Sequence, residues 1–364
     1  MADLIKDQLS CQVLREFALA VRKEYGEFSV DGFLDAVMDE TWEGLELMAR
    51  GRKLSVNLGR FLPRDYGAAI DIIDRVIVGY DGFARHCLPD FVEVYGQDER
   101  DWEISVGALE RYTQYASSEL AVRAFIMKDE ARMMARMYEW ARHESEHVRR
   151  LASEGCRPLL PWGRVLTGLK ADPTPILPIL TQLKDDPSEY VRRSVANNLN
   201  DISKTHPELV AKLVRDWYGK DERTDWIVKH GARTLLKKGH RDVLAVFGYD
   251  NAADVELREF ALGAASIAIG EELGFTFAVS VQEATKVRLE YAIDYVKANG
   301  KRSRKLFQIS EVSLKANQRK VYAKRHAFAD LSTRKHYPGT HAMAIIVNGV
   351  ERGRMEFELT ARAQ

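Results

Sequence analysis

Three cations at one repeated position, with a single glutamate set among them, are the residues of this chain best arranged for chemistry. Arg150 stands in Ser145-Glu-His-Val-Arg-Arg-Leu-Ala-Ser-Glu-Gly155. Arg193 stands in Ser188-Glu-Tyr-Val-Arg-Arg-Ser-Val-Ala-Asn-Asn198, and Lys229 in a worn third copy, Thr224-Asp-Trp-Ile-Val-Lys-His-Gly-Ala-Arg-Thr234. In stacked helices a shared repeat position falls in line, and a line of cations matches a polyphosphate backbone. Asn197 and Arg233 lie one turn further along the same pattern. A single Arg or Lys is usually part of a solvated helix face; repetition in register favours phosphate binding. Glu154 holds the column that reads Asn197 and Arg233 in the later copies. It ends its helix beside Gly155, where a carboxylate opposes the helix dipole at a cost of about 0.3–1 kcal/mol. An i,i+4 pair with Arg150 would be in the poorer, basic-before-acidic order. An acid placed against the local rules inside a positive groove is a candidate for function.

Trp162 follows directly, in Arg157-Pro-Leu-Leu-Pro-Trp-Gly163. Two prolines stiffen this loop and fix the indole, either as filler between repeats or as a stacking platform; its closeness to Glu154 favours a site. Glu119, in Ser117-Ser-Glu-Leu-Ala-Val-Arg-Ala-Phe125, reads by itself as an ordinary first-turn acid behind a serine cap. A second cationic region spans residues 301–336, with 11 basic and 2 acidic side chains, among them Arg319 and Lys320. Several of its cations fall between strand-like runs, where loops reach outward, and a local balance of +9 points to a second nucleic-acid contact. No phosphate-binding Gly-rich loop, zinc-protease helix or serine-nucleophile elbow is present.

The elements that must carry these residues are legible in the periodicity. The copies begin 43 and then 36 residues apart, the spacing of stacked helical pairs of the HEAT kind. Residues 1–249 read as helices almost throughout, with apolar side chains three and four apart, as in Leu14, Phe17, Ala18 and Val21. Asp186-Pro187 marks a helix start, and Pro207–Tyr218 is expected to pack behind Ser188–Ile202 as the second member of a pair. Around Asp250-Asn-Ala-Ala-Asp254 the period changes to two. Alternating runs at 274–281, 287–293, 305–312, 341–347 and 354–359, with Asn348-Gly349 as a hairpin turn, predict about seven strands. The expected architecture is an α solenoid of HEAT-like repeats over 1–249, followed by an immunoglobulin-like β-sandwich over 250–364.

Bulk properties agree with a soluble protein. The 364 residues carry 54 basic and 54 acidic side chains, but residues 1–110 hold 12 basic and 22 acidic ones, a local balance of −10. Cys11, Cys87 and Cys156 have no metal-ligand or disulfide spacing, which suits a reducing cytoplasm and argues against a zinc or iron–sulfur site; no metal or cofactor is expected. The Met-Ala-Asp-Leu-Ile-Lys-Asp start has no signal pattern, and no apolar run spans a bilayer. A cytoplasmic monomer is expected.

The motifs Ser118-Glu-Leu-Ala-Val-Arg-Ala-Phe125, Arg150-Leu-Ala-Ser-Glu-Gly-Cys-Arg-Pro-Leu-Leu-Pro-Trp162 and Ser188-Glu-Tyr-Val-Arg-Arg-Ser-Val-Ala-Asn-Asn-Leu199 resemble those of the AlkC branch of the HEAT-like DNA alkylation-repair glycosylases, related to AlkD. The likeness covers nearly the whole chain, including an appended immunoglobulin-like domain. It implies a solenoid that holds duplex DNA containing alkylated bases. It implies hydrolysis of the glycosidic bond of cationic 3-methyladenine and 3-methylcytosine without deep extrusion of the base. It places the two pocket glutamates on Glu119 and Glu154 and the pocket tryptophan on Trp162. Arg149, Arg150, Arg157, Arg192, Arg193, Asn197, Lys229, Arg233, Arg319 and Lys320 are then the expected DNA contacts. The competing readings are a catalytically silent DNA-binding solenoid and a protein-interaction scaffold.

Overall fold

A computed structural model describes residues 5–249, 254–331 and 334–362. The expected change of period at Asp250 therefore begins outside the described residues. Two compact units divide the chain: Met1–His206 with Gly219–Gly231, and Pro207–Tyr218 with Ala232–Gln364.

The first unit is helical. Each helix buries an apolar stripe, and the repeat copies show why they stack. The helix Glu146–Gly155 buries Val148, Leu151 and Ala152, and the helix Glu189–Ile202 buries Val191, Val195, Leu199 and Ile202. These two pack together, and the second also packs on the helix Glu222–Gly231. Small side chains let the first pair approach closely. Ser153 Oγ meets Ser194 Oγ at 2.7 Å, and Asn198 Nδ2 donates to the Ser153 carbonyl at 2.8 Å. A Cβ on Gly231 would lie 2.9 Å from the side chain of Leu199, so glycine is what admits the third helix. That helix begins at Glu222, two residues before the repeat copy, and the Asp221 carboxylate accepts from the Arg223 and Thr224 N–H groups at its start.

In the second unit, the helix Pro207–Trp217 packs on the helix Arg241–Val246. The strands are β1 (Val255–Leu262), β2 (Ser266–Ala268), β3 (Glu272–Val281), β4 (Thr285–Val296), β5 (Arg302–Leu314), β6 (Arg319–Ala327), β7 (Gly339–Val347) and β8 (Val350–Thr360). They form two sheets, in the orders β1-β3-β6 and β2-β8-β7-β4-β5. Between them lies a core built on Phe275, Phe277, Ile293, Phe328, Met343, Ile345 and Phe357. The β7–β8 turn takes Asn348 at φ 47° and Gly349 at φ 78°, the pairing that matches strand twist in a two-residue hairpin. Residues 319–327, expected as loop, are an edge strand; charge on an edge is how a sheet avoids pairing with a neighbour.

Three histidines are buried at one end of this sandwich, around Tyr295 and Phe328. His326 Nδ1 and Nε2 meet the hydroxyls of Tyr291 and Tyr295 at 2.9 and 2.7 Å. Burial, then the charges of Arg334, His336 and Lys305, hold the His326 pKa down to about 4. Burial also pushes His336 and His341 down. Unfolded histidine binds a proton below about pH 6.5 and the folded ring does not, so this contribution is complete above that pH and lost as pH falls toward 4. His326 alone is expected to cost about 2 kcal/mol on going from pH 7.5 to pH 5. Thermal melts of wild type and His326→Gln at both pH values check this: the wild type should lose more stability on acidification.

Candidate active site

Glu154 is the last residue but one of the helix Glu146–Gly155 and is buried. Arg157 Nη1 donates to its carboxylate at 2.7 Å, and Arg150 Nη2 lies 3.5 Å away. The close partner is the one that follows it, which sets positive charge past the helix end and offsets the mismatch with the dipole. The i,i+4 contact with Arg150 is the looser of the two. Burial works against the Arg157 charge, but Glu154 and Asp201 outweigh it and raise its pKa.

Arg150 turns mainly toward Glu119. Its Nη1 pairs with the Glu119 carboxylate and donates to Ser117 Oγ at 2.9 Å. Its guanidinium lies 5.0 Å from the ring centroid of Tyr190. One cation therefore bridges two acids, and a π face covers it. Glu119 sits in the turn before the helix Val122–Lys128, not in its first turn, and Ser117 Oγ donates to it at 3.0 Å. The structure thus brings together the two glutamates that the sequence separates by 35 residues.

Trp162 is 76% exposed, which sets aside the gap-filling alternative. Its φ is 62°, a region that a bulky residue occupies at a cost of about 1–3 kcal/mol and that clusters at functional sites. With Glu119 it lines a cleft of about 320 Å³ whose other walls include Met48, Leu54, Ala84 and Pro89.

The expected DNA contacts divide. Arg149 holds Asp186 through Nε at 2.7 Å and Nη2 at 3.1 Å, and donates to the His143 and Glu144 carbonyls. Arg192 donates to the Asp186 and Pro187 carbonyls, each at 2.8 Å. Arg157 is buried between Glu154 and Asp201. These three guanidiniums already have hydrogen-bond partners within the fold. Arg193 is different: its pair with Glu189 joins two largely exposed groups and is worth little. Asn197 and Lys229 are half-buried on the helices Glu189–Ile202 and Glu222–Gly231. Arg233 opens a separate short helix, Arg233–Lys237, because the helix is interrupted at Ala232, so it is not one turn along the Lys229 helix. Arg319 and Lys320 lie on β6, Arg319 paired with Glu259 and Lys320 with its Nζ 5.4 Å from the Tyr322 ring centroid. Among the described residues no three His, Cys, Asp or Glu side chains gather as metal ligands, and no helix is long and apolar enough to cross a membrane.

The chain is similar to known proteins. A sequence model described as "DNA alkylation repair enzyme" matches residues 110–235, and one described as the C-terminal Ig-like domain of an uncharacterised protein, YhaZ, matches residues 256–361. The chain is 46% identical over 359 residues to the uncharacterized protein YhaZ of Bacillus subtilis (strain 168), covering 99% of this chain and 100% of that one. Its structure matches that of the Pseudomonas fluorescens alkylpurine DNA glycosylase AlkC, bound to DNA containing an abasic-site analogue. The TM-score is 0.95 with 36% identity, over 99% of this chain and 100% of that chain. The chain belongs to the AlkC family. Its helical repeats and Ig-like domain are thereby the AlkC architecture, and the match supports a DNA glycosylase of alkylation repair.

Sequence reasoning missed two AlkC-fold residues beside this site. Tyr190 lies inside the second repeat copy, where it reads as a helix-face residue. Arg123 is fully buried, and its signal is faint but present: one cation inside Leu-Ala-Val-Arg-Ala-Phe-Ile126, with apolar neighbours on both sides.

Proposed function

We propose that this AlkC-family chain is a monofunctional glycosylase that hydrolyses the glycosidic bond of 3-methyladenine and 3-methylcytosine in duplex DNA and leaves an abasic site. The observation that carries the reading is the pair of glutamates bridged by Arg150, one of which, Glu119, lines a cleft together with the outward-facing Trp162. An N3-methylated base is already cationic. Its bond to the sugar breaks with the electron pair going to the base, which departs neutral while positive charge passes to the deoxyribose. Water oxygen then bonds the sugar carbon, and its proton passes to a carboxylate. Glu119 and Glu154 stabilise the sugar cation and orient that water. Trp162 adds a cation–π contact to lesion or sugar. Being exposed, it meets the base at the surface, so full extrusion and its cost of a few kcal/mol are avoided.

In this reading residues 1–249 form the glycosylase domain and 250–364 a DNA-binding domain. Arg193, Asn197 and Lys229 track phosphates, and Arg319 and Lys320 supply cations of the second domain. The protein acts as a monomer in the cytoplasm.

The test is release of free base from duplexes carrying one defined lesion, with binding followed from 50 to 200 mM salt. Release of 3-methyladenine and 3-methylcytosine is expected, with affinity falling steeply, by about tenfold or more, as several phosphates are contacted. No release with steep salt dependence would leave a silent DNA-binding solenoid. A flat salt response would favour the protein scaffold.

A further inference from the structure

We propose that Arg123 is the positioning residue of this site: it fixes the loop that presents Trp162 and the helix end that carries Glu154. The inference deepens the glycosylase reading and rests on it for the meaning of Trp162. Arg123 is buried on the helix Val122–Lys128. Its four hydrogen bonds among the described residues all go to backbone carbonyls. Nη1 donates to Gly155 and to Arg157, each at 2.9 Å, Nε donates to Arg164 at 2.7 Å, and Nη2 also reaches Arg164.

Those carbonyls mark the two stems of one loop. Gly155 and Arg157 end the Glu154 helix, where carbonyls lack helical partners, and Arg164 closes the far side. A rigid planar fork is the one side chain that can span three such acceptors; a lysine ammonium is a single point on a flexible stem. The loop also closes tightly over the fork. A Cβ on Gly163 would lie 3.1 Å from Arg123 Nε and 3.2 Å from Cδ, so a larger residue after Trp162 would have to push the fork aside by a few tenths of an ångström. Trp162 itself receives little support from packing, being exposed and at positive φ. Its direction is set from below, by a residue that no DNA can reach.

Arg123→Lys is expected to slow single-turnover base release at saturating enzyme by on the order of 10- to 100-fold, with duplex affinity within about 3-fold of wild type. A purely structural role would not produce the following result: in a double-mutant cycle, Arg123→Lys with Trp162→Ala should be no slower than the slower single variant. Effects that multiply, or a wild-type rate for Arg123→Lys, overturn the proposal. If Arg123→Lys does not fold by circular dichroism, Gly163→Ala takes its place in the cycle with the same expectation. A second readout needs no catalysis. The fluorescence anisotropy of Trp162, taken as the difference between a protein and its Trp162→Phe form, should fall in the Arg123 or Gly163 variant. If the wild type releases no base, the glycosylase reading fails, and this anisotropy decides the positioning role alone: a fall supports it and no change overturns it.

Discussion

Glu154→Gln is expected to lower kcat/KM for release of 3-methyladenine by between about 100- and 1,000-fold, with little change in affinity for undamaged duplex. A carboxylate about 4 Å from a unit positive charge is worth about 4 kcal/mol at an effective dielectric near 20, a rate factor on the order of 1,000. Glu154 is already paired with Arg157 and more loosely with Arg150, so part of that field is cancelled and the lower part of the range is reachable. Its burial keeps water from screening the remainder. The amide keeps the shape and an acceptor for Arg157, which also retains Asp201 at 2.8 Å. The fold should therefore survive, and a thermal melt beside the kinetics checks that it does. Glu119, with 24% of its side chain exposed against 7% for Glu154, is more screened, so Glu119→Gln should cost less. A loss below about 10-fold for Glu154→Gln, in a folded protein, would remove Glu154 from the chemistry.

How far the sequence reached depends on the kind of information each residue carries. The repeat and its apolar period are local patterns, so the stacked helices at 146–155 and 189–202 could be read directly. So could the hairpin at Asn348-Gly349, where backbone geometry selects the residues. Glu154 was also legible, because an acid at a helix end breaks a local rule. Its partner was not: whether Arg150 or Arg157 meets it depends on how the chain leaves the helix, and Asp201 draws Arg157 inward from another helix. The same limit explains the basic column. Arg149, Arg150, Arg192 and Arg193 are indistinguishable as sequence, yet each repeat turns one arginine toward the Asp186 loop and leaves the next facing away from it. Read by itself Glu119 is a helix-start acid; the resemblance points to it, and the fold, bringing Arg150 beside it, supplies the physical partner. The β6 strand was missed because charge covers both of its faces, which hides the alternation.

The two acids also set an expected preference for lesion charge, which ends in the largest ratio of all. For a cationic base, the sugar gains positive charge as the base becomes neutral, and a nearby carboxylate favours every charged state along that path. For a neutral base, the leaving group becomes an anion as the sugar becomes a cation. A carboxylate at similar distance from both then gains about 4 kcal/mol at the sugar and loses a similar amount at the base. The advantage nearly cancels for neutral lesions and persists for cationic ones. Catalysed kcat/KM, divided by the uncatalysed rate for each lesion to remove its intrinsic lability, should favour 3-methyladenine and 3-methylcytosine over hypoxanthine by on the order of 1,000-fold. Because the preference comes from charge and not from a shaped pocket, replacing both acids, Glu119→Gln with Glu154→Gln, should collapse the ratio toward unity while a pocket-based preference would persist. Equal corrected rates for cationic and neutral lesions in the wild type would show that the glutamates do not act through the sugar cation.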